Sequence, residues 1–492
     1  MSKTFRSFLL VFAVFVQILQ FFTNTDGQDI EATVLLDAAK PNIVQIEGKF
    51  LWIGETGRGR NLSFLREYAG ISDLAERISG VSIKAADGSP AKFRRLMAGE
   101  YLAEADFVDW SYTLDLTPLR NPTAAGHLSW LTSNGGILFL DDLLPQTRGK
   151  SAATVLLKIA QNGKPSNPRF DEENTFEYKN KEKAVIFLGP NSRVTKLISG
   201  KTNLSLSVAG DWKFKDEAAS TIVSEIFGRY EQLFDSSPSA YVRINIQRFP
   251  VPVAVGNYEA DTRGHTITII SSDMPFESQS AQRLHEQLRH EMFHLWIPNG
   301  VNLSGNYDWF YEGFALYQSL KTGVAVNRIR FDDFLDTLSR AYDIDSMQTQ
   351  KLSLIDASKN RWNGANTQVY ARGMLTAFLC DLALLDKSKG KRSIADILRE
   401  IYEQHRPPNA VADGNSAVLA TLRSHSELIP VVDRNITGSE SIDWAVLLNT
   451  AGIEAEIKDQ VTKLKVTAKP SGRQKDLLDK LGYNNWRKLT SK

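Results

Sequence analysis

The sequence predicts a multidomain α+β chain, with an all-β first part followed by a mixed part whose second half is helical. Three observations lead there. The chain has 492 residues, whereas a single hydrophobic core rarely serves more than about 250–300. From about residue 30 to 200, short runs alternate apolar and polar side chains with a period of two, the mark of half-buried strands. From about residue 205 the apolar spacing turns helical, and the expected division is 1–27, 28–204, 205–430 and 431–492.

Lys3 and Arg6 precede the apolar run 8–16, which continues to Phe22 with Gln17 and Gln20 interrupting it. These are the charged and hydrophobic regions of a secretory signal, short for a full membrane span of about 20 apolar residues. Residues 1–27 are therefore expected to be a signal peptide or, if uncleaved, an N-terminal membrane anchor, with 23–27 a loose candidate for the cleavage region. The expected location is outside the cytoplasm, in the periplasm, the cell envelope or the medium. The single cysteine, Cys380, excludes an intramolecular disulfide, and its apolar helical neighbours predict a buried, inert thiol. Asn61, Asn203, Asn302 and Asn435 open glycosylation sequons, which carry sugar only in a eukaryotic secretory pathway.

In the first part, 107–116, 135–140 and 152–159 read as strands separated by Gly, Pro and Asn turns, with 165–168 a turn. In the second, 218–234 reads as a helix, 241–249 and 266–270 as strands, and 280–296 as a long helix. The run 266–270 is expected to be the edge of its sheet, open to an extended peptide. Helices over 332–342, 369–385 and 393–404 follow, and 441–451 supplies one more.

The long helix carries His290-Glu291-Met292-Phe293-His294, and seventeen residues separate His294 from Glu312. Residues four apart share a helix face, so the two imidazoles can converge on one ion at roughly 2.0–2.1 Å. Glu312, on a second helix, offers a third ligand and leaves the fourth position open, as a catalytic zinc site requires. Glu291, next to the first histidine, can reach a water on the metal as general base without coordinating it. The neighbouring His285-Glu286-Gln287-Leu288-Arg289 begins alike but has arginine where a second ligand would stand. It is not a site. With seven histidines in the whole chain, a chance His-Glu-x-x-His is improbable.

Together with Trp309-x-x-Glu312-Gly313-Phe314-Ala315-x-Tyr317, this motif resembles the gluzincin metallopeptidases, and the run to Trp296 is most similar to the glycyl-aminopeptidase family. Tyr370-Ala371-Arg372-Gly373 is similar to that family's Tyr-x-Lys-Gly segment. The resemblance implies one zinc per chain, a β-sandwich ahead of a thermolysin-like catalytic domain with the metal between its α/β and helical halves, and an oxyanion-stabilising role for Tyr370. Two departures limit it: the spacing between His294 and Glu312 is shorter than that family usually has, and the strand whose glutamate binds a substrate's free amine is not matched. By position Asp261 comes nearest to that amine-binding role, and Glu259 second. Arg372 replaces the family's lysine. Relatives often continue into a PDZ domain, but residues 454–492 are about half the length such a fold needs, and a complete one is not expected.

With 58 basic and 57 acidic side chains and a net charge of +1, nothing electrostatic points to nucleic acid as a partner. The expected partner is a peptide substrate. The expected activity is zinc-dependent peptide hydrolysis, most simply by an aminopeptidase. A zinc endopeptidase of the same fold and an inactive envelope peptide-binding protein are the alternatives, the second weakened by the intact ligands and base.

Overall fold

The computed structural model describes residues 27–37, 39–53, 59–85, 87–147, 153–162, 175–189 and 191–485. The N-terminal apolar segment and the turn at 165–168 lie outside them. Two compact units emerge, one ending at Asn191 and one beginning at Ser192.

The first unit is built on a six-stranded sheet in the order Thr175–Tyr178, Val155–Asn162, Gly27–Asp37, Ile43–Ile53, Asp109–Asp115, Ile78–Lys84. Gly27–Asp37 and Val155–Asn162 run parallel, and the other neighbours antiparallel. Period two decides the faces: Ile30, Val34, Val44, Ile46, Trp110, Tyr112 and Leu114 point into one core, while Glu31 and Lys49 pair at 2.9 Å on the other face. Two three-stranded sheets accompany it, and Leu62, Tyr101, Leu138 and Ile186 from them join the same core. The unit also contains short helices at Pro122–His127 and Leu140–Leu143, which the all-β expectation lacked. Asn121 caps the first through Thr123 N–H, with Pro122 in the first helical position, a signal that is local and not periodic.

The second unit opens with a five-stranded sheet ordered Arg193–Ser199, Thr202–Val208, Tyr241–Arg248, Thr266–Ser271, Tyr258–Arg263. It starts before the change in periodicity near 205 because the hairpin 193–208 pairs in parallel with Tyr241–Arg248. Thr266–Ser271 is not the edge strand: Tyr258–Arg263 pairs outside it, and all six of its residues are buried. Its Thr/Ile alternation suggested one wet face, but in an interior strand the face carrying Thr266 and Thr268 is buried as well as the isoleucine face. Helix Asp216–Phe234 and helix Glu277–Phe293 share the sheet's core through Ile222, Phe227, Leu284, Leu288 and Met292. The three residues Leu284, Leu288 and Met292, spaced by four, are the apolar stripe that makes the latter an amphipathic helix.

Helices Asp308–Ala325, Phe331–Ser346, Asn366–Ser388 and Ile394–His405 form the helical half. Asn366–Ser388 is apolar and long enough to cross a membrane, yet 94% of its apolar window is buried within the protein. It is the core's central helix and holds Cys380 fully buried. The C-terminal hairpin Ile453–Lys458/Val461–Val466 docks on helix Phe331–Ser346, with Leu464 N–H donating to Ser339 Oγ at 3.0 Å. Leu477, Leu478 and Leu481 of helix Gly472–Leu481 enter the same core.

Candidate metal centre

Three helices and one strand bring the site together. Helix Glu277–Phe293 presents His290 and Glu291, and His294 follows as its cap with φ −66° and ψ −14°. That conformation is close enough to helical to keep the ring one turn beyond His290, and the rings stand 4.7 Å apart at 90°. Asn299 fixes this helix end to the edge strand, donating to the His294 and Thr262 carbonyls at 3.1 and 2.8 Å.

Glu312 lies on helix Asp308–Ala325 and Tyr370 on helix Asn366–Ser388, and paired glycines let these helices approach. A Cβ on Gly313 would stand 2.4 Å from Gly373 Cα, and one on Gly373 2.8 Å from the Trp309 carbonyl oxygen. The residue after Glu312 and the third residue after Tyr370 are therefore the points of backbone contact. Arg372, adjacent to the second glycine, turns away from the site. Fully buried, it donates to the Asn435 carbonyl at 3.3 Å and the Glu440 carbonyl at 2.5 Å, and pairs with Asp345 at 3.4 Å. The arginine found in place of the family's lysine thus anchors the segment after residue 434 instead of charging the site.

His290 Nε2 lies 3.1 Å from His294 Nε2 and 3.1 Å from Glu312 Oε2, which is 3.6 Å from His294 Nε2. Among the described residues this trio is the cluster whose donor atoms can share one ion. His294 Nδ1 is 3.1 Å from the Ile297 carbonyl. A carbonyl only accepts, so Nδ1 carries a proton, which leaves Nε2 as the nitrogen a metal would take. Two imidazole nitrogens and one carboxylate oxygen, largely buried, are the donor set of catalytic zinc. The residues fit the ion.

Glu291 is 6% exposed, and its Oε2 accepts from Thr262 Oγ1 at 2.7 Å. Burial lifts this carboxyl above its usual value, against the pull of His290, His294 and the Thr262 hydroxyl. A carboxylate raised in this way is a better proton acceptor at neutral pH. Burial works on Glu312 in the same direction, but the Arg361 guanidinium and the two histidines outweigh it and hold Glu312 well below the usual carboxylate range. Burial, and then the Glu312 charge, push the Tyr370 phenol well up, so it keeps its proton as a donor. Its ring centroid lies 6.4 Å from that of His290.

The structure thus groups His290, Glu291, His294, Glu312 and Tyr370. It places Asp261 and Glu259 on the edge strand, in alternation with the Thr262 that touches Glu291, and Asp261 pairs with Arg263 at 2.7 Å. Thr262 and Arg361 carried no signal in the sequence: one is a threonine among several in an alternating run, the other a lone arginine outside any motif.

The chain matches no family model and no curated protein sequence. Its fold does match solved structures. An aminopeptidase N family protein from Idiomarina loihiensis superposes with TM-score 0.72 at 15% identity, covering 90% of this chain and 82% of that one. An M1 zinc metallopeptidase from Deinococcus radiodurans gives TM-score 0.55 at 13% identity, over 85% of this chain and 94% of its own. A mutant of the latter bound to the substrate Tyr-Ser-Ala gives TM-score 0.54 at 13% identity, over 85% and 96%. At such identities the likeness establishes a shared fold.

Proposed function

We propose that this protein is a zinc-dependent peptidase that removes N-terminal residues from peptides. The observation that carries the reading is the convergence of His290, His294 and Glu312, with Glu291 held beside them by Thr262, on the fold of zinc metallopeptidases. His290, His294 and Glu312 would hold the ion. Zinc bound there would polarise a peptide carbonyl and ease deprotonation of an attacking water.

The remaining chemistry belongs to the chain's own side chains. Glu291 takes the proton of the attacking water and returns it to the leaving amine, while the Thr262 bond fixes one carboxylate oxygen so that the other can work. Tyr370 donates its phenolic proton to the oxygen that becomes negative as the carbonyl turns tetrahedral, a contribution of roughly 3–4 kcal/mol for one donor. The edge-strand acids Asp261 and Glu259, expected to take the substrate amine, alternate with Thr262 and so face away from Glu291; the amine is assigned to neither. The peptide bound by the Deinococcus mutant and the aminopeptidase description of the Idiomarina protein support a free amine at the site. Export through residues 1–27 belongs to the same proposal.

Parallel digestion of free-amine and N-acetylated peptides tests it. Stepwise loss of N-terminal residues from free-amine peptides alone is expected. Internal cleavage of both sets would make the protein an endopeptidase, and bound peptide without turnover would make it a binding protein.

A further inference from the structure

Arg361 sits in a short helical turn, Arg361–Asn363, ahead of helix Asn366–Ser388. The resemblance that named the ligands and the base gives it no role. It is 9% exposed, and its guanidinium touches both halves of the catalytic apparatus. Nη1 lies 3.0 Å from Glu312 Oε1 and 2.8 Å from Asp308 Oδ1, and Nη2 donates to the Tyr370 hydroxyl at 2.6 Å. The Trp362 ring at 4.5 Å and the Tyr370 ring at 5.2 Å flank its central carbon.

We propose that Arg361 is a positioning residue that sets the third metal ligand and the oxyanion donor with one planar fork, a proposal that rests on the metallopeptidase reading. On the ligand side, Arg361 engages Glu312 Oε1 and leaves Oε2 to face His290 and His294. On the donor side, a guanidinium has no acceptor atom. Its bond therefore occupies a lone pair of the phenol oxygen and leaves the phenolic proton for an acceptor, the Glu312 carboxylate in this structure and the substrate oxygen when peptide is bound. Asp308, at the start of the glutamate helix, holds Nη1 from a second direction and restricts rotation of the fork. A salt bridge serving the fold alone would need Asp308 and nothing on the phenol.

The test uses the full chain with Arg361→Gln, Arg361→Lys and each combined with Tyr370→Phe. Zinc dissociation constants come from chelator competition on metal-stripped protein, and kcat and KM from a free-amine peptide. Arg361→Gln is expected to weaken zinc binding about 10–100-fold and to lower kcat by a similar factor, the size of effect known for partners of metal ligands. Arg361→Lys returns a point charge beside Glu312 but cannot bridge to the phenol. It is expected to bind zinc within about threefold of wild type while kcat stays at least about tenfold down with KM unchanged. In the Tyr370→Phe background, the lysine exchange should change kcat by less than about twofold, because its target is gone.

Wild-type zinc affinity and kcat in Arg361→Gln would overturn the proposal. So would independent, multiplying losses of kcat in Arg361→Lys and Tyr370→Phe. If Arg361→Gln does not fold, the lysine series still decides. A wild-type chain that takes up no zinc and cleaves no peptide would overturn the metallopeptidase reading itself, an outcome distinct from either.

Discussion

Replacing Gly313 by alanine puts a methyl group 2.4 Å from Gly373 Cα and 2.5 Å from its carbonyl carbon. Carbon atoms in contact stand about 3.5–4.0 Å apart, so against that 2.4 Å the two helices must part by roughly 1.1–1.6 Å. Backbone faces backbone at this crossing, and no flexible side chain can yield. Overpacking of this kind costs about 1–3 kcal/mol, which at about 2–4 °C per kcal/mol lowers the melting temperature by roughly 2–12 °C. The larger effect is functional. Glu312 precedes Gly313 and Tyr370 lies one turn before Gly373, so parting the helices moves the Glu312 carboxylate away from the Tyr370 phenol, the groups proposed as ligand and oxyanion donor. A misplacement of about 1 Å costs on the order of a hundredfold in rate. Thermal melts, zinc content and kcat on a free-amine peptide measure all three consequences. Gly228 is the control: it lies within helix Asp216–Phe234 with nothing near its missing Cβ, and Gly228→Ala is expected to be neutral or to stabilise by up to about 1 kcal/mol. A Gly313→Ala protein that melts and turns over like wild type would refute the close-approach argument.

Other expectations follow from single contacts. Tyr370→Phe should lower kcat by about 100–1000-fold with little change in KM; an effect on KM alone would reassign the phenol to ground-state binding. Arg372→Met removes the charge partner of Asp345, a residue 1% exposed whose Oδ1 has no hydrogen-bond partner. Urea unfolding should show a loss of about 3–5 kcal/mol, and a loss below about 1 would contradict the buried-pair reading. Burial, with the Arg289 and Arg328 charges, pushes the His285 imidazole down to about 3. The unfolded chain then accepts a proton near pH 6.5 that the folded chain refuses. The stability His285 contributes is complete above about pH 6.5 and is lost as pH falls towards 3. The melting-temperature margin of wild type over His285→Asn should therefore narrow on acidification across that window; a constant margin would contradict the shift.

What was legible in the sequence followed from local periodicity. The helix bearing His290 and His294, the strands at 109–115 and 241–248, and the central helix around Cys380 all declare themselves by spacing, because each buries one face or all of itself. The two histidines of the candidate trio were legible for the same reason, since residues one turn apart on a helix share a face in any fold, while Glu312 came from the spacing of a second motif. The rest depends on contacts distant in sequence. Arg361 reaches Asp308 and Glu312 across a chain separation that leaves no pattern, and Thr262 meets Glu291 only because its strand lies beside the motif helix. The edge strand was misassigned because sheet order is set by pairing between strands, which alternation within one strand does not encode. Arg372 faces the C-terminal segment and not the site, because its helix position rotates it away from Tyr370.

Zinc content of the purified chain, measured by elemental analysis beside turnover of a free-amine peptide for wild type and Glu291→Gln, tests the central claim most directly. One zinc per chain is expected in both proteins, with turnover in wild type alone, abolished by a chelator and restored by zinc. Equal turnover in both, or turnover that persists in metal-free protein, would contradict it.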